Sequence, residues 1–334
     1  MFELLGLSLL LAALLTFNSF ASLVMATLWR IAGRATHNCT AAARARLLFS
    51  LRTLPALLAL LSVTLLLVPS YLAYEPRHTT EGVSFKLALL AFLSAAGLAV
   101  SLYRGIATRR ATAKLTADWL EHGERIQIAG IDIEAYKIKH AFPLIAILGF
   151  LRPRLFIASQ VLETLTPEEI SAAVAHENGH LVARDNLKRG LLLACRDALL
   201  IIPSGRLLDK AWSEASEEAA DENAARQGNN VALDLASALV KIARRIPQGA
   251  RPTMPAGVFL LGDDETKGIK SRVRRLLALA ANEYPPGSRH EVFTRFFIWA
   301  PPGLLLAALV ISANSPLLLS KVHSIIERAV FALR

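Results

Sequence analysis

The chain has 334 residues, of which 54% are apolar and 19% charged, with a formal net charge of +10. That is too apolar for an ordinary soluble domain and too charged for a protein made only of membrane helices, so membrane helices joined to one water-facing domain are expected. The positive charge comes without an aromatic-interleaved basic stripe, which argues against direct nucleic-acid binding. The only two cysteines, Cys39 and Cys195, form no CxxC and exclude a disulfide framework.

A spanning helix needs about 20 mostly apolar residues. In chain order, three segments meet or approach that length, at about 4–29, 54–74 and 84–103. The first begins beside Glu3 and lacks a positive leading region, so it reads as a retained helix and not as a cleaved secretory signal. The loop read after it carries Arg30, Arg34, Arg44, Arg46 and Arg52 and no acid, and Arg104, Arg109, Arg110 and Lys114 follow the third. The excess of Lys and Arg on cytoplasmic sides then places the N-terminus outside and everything after the third helix inside. Asn38-Cys39-Thr40 matches a glycosylation acceptor but falls on the side read as cytoplasmic. A fourth apolar segment, 296–320, returns the chain across the membrane and leaves 321–334 as a short outer tail. Helices one to three carry no ionisable residue in their interiors, which argues against a channel or transporter.

Between the third and fourth helices, residues 110–294 have the length of one domain. "RIQIAGIDIEAYKI" (125–138) alternates around Gly130 and predicts two short strands. The apolar run from Ala141 to Leu151 is too short to span and predicts a buried strand pair, with "RLFIAS" as a further strand. In "TLTPEEISAAVAHENGHLVARDN", Thr166 as N-cap, Pro167 at the first helical position and Glu169 as capping-box partner start a helix that runs through His180. His176 and His180 are one helical turn apart on one face, so both rings can reach a single ion. Glu177 is rotated by about 100° and can act as general base beside it. Gly179 weakens the helix, which a purely structural helix has no reason to accept.

A catalytic zinc requires a third protein ligand. "DKAWSEASEEAADENAARQG" (209–228) predicts a second helix, with Glu217 and Asp221 on one face. Glu217 is the candidate ligand and Asp221 the acceptor that orients a ligand histidine; Glu214, Glu218 and Glu222 compete on spacing alone. Asp185 is read as anchoring the end of the first helix, and the arginines of "SRVRRLL" (271–277) as a solvated or membrane-surface face. The oxyanion donor stays open among Tyr136, His140 and those arginines. Residues 244–268, rich in Pro and Gly, read as a long loop.

These residues resemble the gluzincin-type membrane metallopeptidases, and most closely the β-lactam-sensing signal transducers. That family has three membrane helices before a cytoplasmic zinc domain and one after it. Its pattern of His-Glu-x-x-His followed by Asp is met by His176, Glu177, His180 and Asp185. Its Glu-x-Ala-Cys-Asp motif is met by Glu217, Ala219 and Asp221, with Ala220 where Cys is usual and Asn178 where an apolar residue is common. The receptors carry a penicillin-binding domain after the last membrane helix, whereas here "KVHSIIERAVFALR" follows, so β-lactam sensing is not implied. HtpX-type and prenyl-protein-processing membrane proteases share both motifs; their Asn-Ala-Phe substrate strand is similar to His140-Ala141-Phe142, which makes Ala141 and Phe142 candidates for substrate binding.

The resemblance implies an α+β zincin-like cytoplasmic domain inserted in a four-helix transmembrane framework in the cell (inner) membrane. It implies one Zn2+ per chain held by His176, His180 and Glu217, with Glu177 catalytic and Asp221 and Asp185 behind the ligands. The expected activity is regulatory endoproteolysis of a protein or peptide, for example a transcriptional repressor. The alternatives are an HtpX-like quality-control protease and a non-catalytic zinc-binding membrane scaffold.

Overall fold

The computed structural model describes residues 2–77, 82–128, 130–149, 152–199, 205–246, 265–281, 303–304 and 306–333. Most of the predicted loop at 244–268 and the first part of the predicted fourth membrane segment lie outside these residues. Among the described residues, three helices are long and apolar enough to cross a membrane: Phe2–Thr36, Ala41–Tyr74 and Phe85–His122. Large apolar side chains on their outer faces, such as Phe20, Leu23, Phe92 and Leu102, are exposed, as expected for surfaces that meet lipid. Helix α1 (Phe2–Ala32) packs against α2 (Ala41–Ser62) and α4 (Phe85–His122). A π-helical turn, Val63–Leu67, joins α2 to α3 (Val68–Tyr74).

Two of these helices extend beyond their apolar stretches. The arginine-rich stretch read as a loop is helical from Ala41, where the Thr40 hydroxyl caps α2 by accepting from the Ala43 N–H at 3.3 Å. Helix α4 likewise runs on to His122 and delivers Trp119 into the core of the following domain. Toward the C-terminus, α11 (Leu306–Ala313) is followed, after a bend of 96°, by α12 (Pro316–Leu333). The segment expected to be a short tail is thus mostly helix, and its Ile326 and Val330 pack on Leu9, Val63, Leu67 and Tyr71.

The domain between them is built on a four-stranded mixed sheet of β1 (Glu124–Ile126), β2 (Ala135–Ile138), β3 (Ile145–Leu148) and β4 (Arg154–Ala158), in the order β1-β2-β4-β3. Strand β4 pairs parallel to β2 and antiparallel to β3. Leu155, Phe156, Ile157 and Ala158 are all fully buried, as an inner strand requires. Helix α5 (Ser159–Thr164) leads into α6 (Pro167–Ala183), which lays Ala173 and Val174 on the sheet beside Ala238 and Ile242 of α9 (Asn229–Arg245).

The capping box predicted for α6 is present, with the Thr166 hydroxyl accepting from Glu169 N and the Glu169 carboxylate accepting from Thr166 N. The same carboxylate accepts from Ser237 Oγ at 2.6 Å and pairs with Lys241 Nζ at 2.7 Å, tying α6 to α9. Burial acts to raise the Glu169 pKa, but these donors outweigh it and hold it below the usual value. A depressed carboxylate pKa adds stability that is complete at neutral pH and is lost as pH falls below the ordinary carboxylate range. Glu169→Ala is therefore expected to destabilise the domain by about 2 kcal/mol at pH 7, for the lost capping-box acceptor and the donors left without it. In thermal unfolding of the detergent-solubilised protein, the deficit relative to wild type should shrink as pH falls below about 4 toward about 3; an equal deficit at pH 7 and at the acid end would assign the effect to packing instead.

Candidate metal centre

Helix α6 presents His176 and His180 one turn apart, with ring centroids 4.8 Å from each other. Facing them is α8 (Gly205–Ala225), and the two helices approach closely at Gly179. A methyl group placed on Gly179 would stand 3.1 Å from Ala220 Cα and 3.3 Å from both Ala220 Cβ and Asn223 Cβ. The glycine therefore has a packing reason, contrary to the expectation that only a catalytic role explains it. The small residue at 220 serves the same contact from the other side.

That contact sets Glu217 opposite both rings. Its Oε2 lies 3.6 Å from His176 Nε2 and its Oε1 3.6 Å from His180 Nε2. A tetrahedral ion with N and O ligands at about 2.1 Å separates them by roughly 3.4 Å, so the three fit one zinc ion. The other ring nitrogens are each held by a carboxylate: His176 Nδ1 by Asp221 Oδ1 at 2.9 Å and His180 Nδ1 by Asp185 Oδ2 at 2.8 Å. Both pairs fix the tautomer that turns Nε2 toward Glu217. Glu217 Oε2 is buried without a well-directed hydrogen bond, although Arg272 Nη1 stands 3.1 Å away. An acceptor left in that condition fits a cation ligand. Among the described residues, Glu218 and Glu222, competitors on spacing, point elsewhere: Glu218 pairs with Arg44 and Arg275, and Glu222 with Arg275 and the Ala41 N–H.

Asp185 reaches His180 through a sharp turn. Helix α6 ends at Arg184, in the left-handed conformation with φ 55°, and α7 (Asp185–Asp197) starts at once. Asp185 is buried and also accepts from Ser216 Oγ at 2.7 Å and Lys188 Nζ at 3.3 Å. It orients a histidine as well as anchoring a helix end. Ser216, beside Glu217 in sequence, was not among the expected site residues; nothing in its local pattern distinguishes it.

Arg272 corrects a second expectation. Arg272 and Arg275 lie on the inner face of α10 (Glu265–Ala280), not on a solvated one; Arg274 is exposed. Arg272 Nη2 lies 2.7 Å from Asp221 Oδ1 and its Nε 2.9 Å from Asp221 Oδ2, a bidentate pair. The same Nη2 is 3.4 Å from His176 Nε2 and 3.5 Å from Nδ1, near-equal distances that describe a guanidinium laid against the ring. The legible signal was periodicity: Arg272 stands between Ile269 and Leu276 on the apolar stripe of its helix. Tyr136 and His140, the other oxyanion candidates, are engaged locally; the Tyr136 hydroxyl donates to Glu134, and His140 Nδ1 accepts from the Phe142 N–H at 3.0 Å. Ala141 is exposed and Phe142 buried, both in the non-strand segment that leads into β3.

Burial dominates the electrostatics. It raises the Glu177 pKa and would raise that of Glu217, but the Arg272 charge and the two histidines bring Glu217 down to about 2. Burial would lower His176, yet Asp221 and Glu217 raise it to about 9. Metal binding at such a ring displaces a proton and is accordingly favoured as pH rises. Asp185→Ala, which strips the acceptor from His180, is expected to weaken zinc binding by roughly 10–100-fold. Competition against a chromogenic chelator measures this, and an unchanged affinity would leave Asp185 with a structural role only.

Residues 133–284 match the family model described as Peptidase family M48. No curated protein and no solved structure matches the chain. The matched stretch contains His176, Glu177, His180, Glu217 and Arg272, so this part of the chain is similar to a family M48 peptidase domain and supports a place for the protein among the zinc metallopeptidases.

Proposed function

We propose that this chain is an integral-membrane, zinc-dependent endopeptidase with its active site on the cytoplasmic side, acting in regulatory proteolysis. The observation that carries the reading is the convergence of His176, His180 and Glu217, whose ligand atoms lie within 4.8 Å of one another, with the buried carboxylate of Glu177 on the adjoining helix position. A purely structural zinc site has no use for that carboxylate.

His176, His180 and Glu217 would hold the ion. Zinc in such a site supplies Lewis acidity, polarising the scissile carbonyl and lowering the pKa of water. Glu177 accepts the proton of the attacking water and delivers it to the leaving amine; its raised pKa suits a group that must both take and return a proton. Asp221 and Asp185 keep the ligand rings in register. Arg272 balances the negative charge of Glu217 and Asp221 beside the reacting centre.

The substrate has a place to lie. Ala158 N donates to Leu144 O at 2.9 Å, so the alternation of an antiparallel pair turns the backbone groups of Ile145 and Ile147 away from β4, toward the sheet edge. Strand β3 is that edge and packs against α6. An extended peptide added there forms main-chain hydrogen bonds, with Ala141 and Phe142 at the approach. Asn186 Nδ2 donates to Ile147 O at 3.0 Å and marks one end of the open edge.

The orientation is supported by the contact between α2 and α8. Arg44 pairs with Glu218 and Arg52 Nε with Asp209 Oδ1 at 3.0 Å, which keeps the arginine-rich start of the second long helix on the side of the peptidase domain. By the excess of positive charge, that side is the cytoplasm. A transcriptional repressor is the substrate class to try first.

Detergent-purified wild type is expected to cleave an unfolded protein such as casein in a chelator-sensitive way. Glu177→Gln should retain as much zinc as the wild type and lose at least 100-fold in rate, the ordinary contribution of a general base. Zinc retained in both proteins with no cleavage by either would support the scaffold reading.

A further inference from the structure

We propose a second divalent-cation site, of the zinc class, formed by Glu75, His323 and Glu327 at the end of the helical bundle remote from His176. The three side chains offer ligand atoms that all lie within 4.8 Å of one another. Glu75 follows α3 directly, at the far end of the rod that begins at Ala41 beside Glu222. At 1.5 Å per residue the two ends are about 50 Å apart, so this cluster shares nothing with the peptidase centre.

Four independent features point to a cation there. Glu75 is buried, with a relative exposure of 8%. It is also the C-cap of α3, where the last backbone carbonyls of a long helix already gather negative charge and a carboxylate is disfavoured. Glu327 brings a second carboxylate, its Oε1 3.9 Å from His323 Nε2. The remaining ring nitrogen, His323 Nδ1, is buried and has no hydrogen-bond partner.

The arrangement is held in place before any ion binds. Ser70 Oγ donates to Leu319 O at 2.8 Å, and the Tyr74 hydroxyl donates to Pro316 O at 3.0 Å. The Tyr74 ring packs on that of His323, with centroids 5.9 Å apart. These contacts fix α12 against α3, so that residues far apart in sequence face each other with little left to order. One imidazole and two carboxylates form a donor set suited to Zn2+; Ca2+ asks for more oxygen ligands. An ion bound there clamps α12 to the end of the second long helix.

The test uses the full chain in detergent, stripped with chelator and titrated with zinc chloride alone. A His176→Ala/His180→Ala variant lacks the peptidase ligands and is expected to retain one zinc per chain. Adding Glu327→Gln, at a side chain that is 48% exposed and so tolerant of substitution, should weaken that binding at least tenfold, and His323→Ala should abolish it. No stoichiometric zinc in the double-histidine variant, or an affinity unmoved by Glu327→Gln, overturns the site. Should the double-histidine variant fail to fold, His323→Ala alone reads the same point: two zinc ions per wild-type chain fall to one, whereas an unchanged count overturns it. Loss of one zinc in Glu217→Ala tests the peptidase centre separately, so either site can fail without the other.

Discussion

The close approach of α6 and α8 at Gly179 and Ala220 is the contact on which the rest of the site depends. Two histidines one turn apart on a helix are only half a zinc site. Glu217 can complete it only where the two helix backbones come nearer than ordinary side chains allow, because a carboxylate on a short stem must reach both rings at once. Glycine on one helix and alanine on the other permit this, and the acceptors Asp221 and Asp185 then find the outward ring nitrogens. Displacing α8 by a few tenths of an ångström moves Glu217 and Asp221 together, since both ride on the same helix face.

Such a site concentrates negative charge. Glu177, Asp185 and Asp221 are buried and Glu217 is partly so, and an isolated buried carboxylate would simply take up a proton. Arg272 answers two of these charges from α10, Lys188 and Ser216 answer Asp185, and the histidines answer the rest. The outer acids of α8 are treated alike, with Glu218 and Glu222 bound by Arg44 and Arg275. Helix α8 is therefore acidic on several faces for separate reasons. One face meets the metal ligands, another the start of α2, and another α10.

The long apolar helices are structural members of the domain that carries the candidate metal centre, as well as candidate membrane spans. Leu48 of α2 is buried with Leu192, Leu208 and Trp212, and Trp119 of α4 packs edge-on against Phe156 at 5.2 Å. These helices touch α8 and the sheet directly, through packed side chains. The same second long helix leads, at its other end, to Glu75, one of the three residues proposed to bind a second cation.

Local chemistry made much of this visible in the sequence alone. The capping signals of Thr166, Pro167 and Glu169, the turn-spaced histidines, the turn-spaced Glu217 and Asp221, and the apolar runs all act within a few residues of themselves, where helix geometry leaves little choice. The helical start of α2 escaped notice because arginines read as loop when their acidic partners lie more than 150 residues away. Arg272 was read as surface for the same reason; only its place on an apolar stripe hinted otherwise. The role of Gly179, the turn at Arg184 that folds Asp185 back on His180, and the meeting of Glu75 with His323 and Glu327 are contacts between distant segments. Spacing along the chain constrains what shares a helix face, but which faces meet is decided only when the whole chain packs.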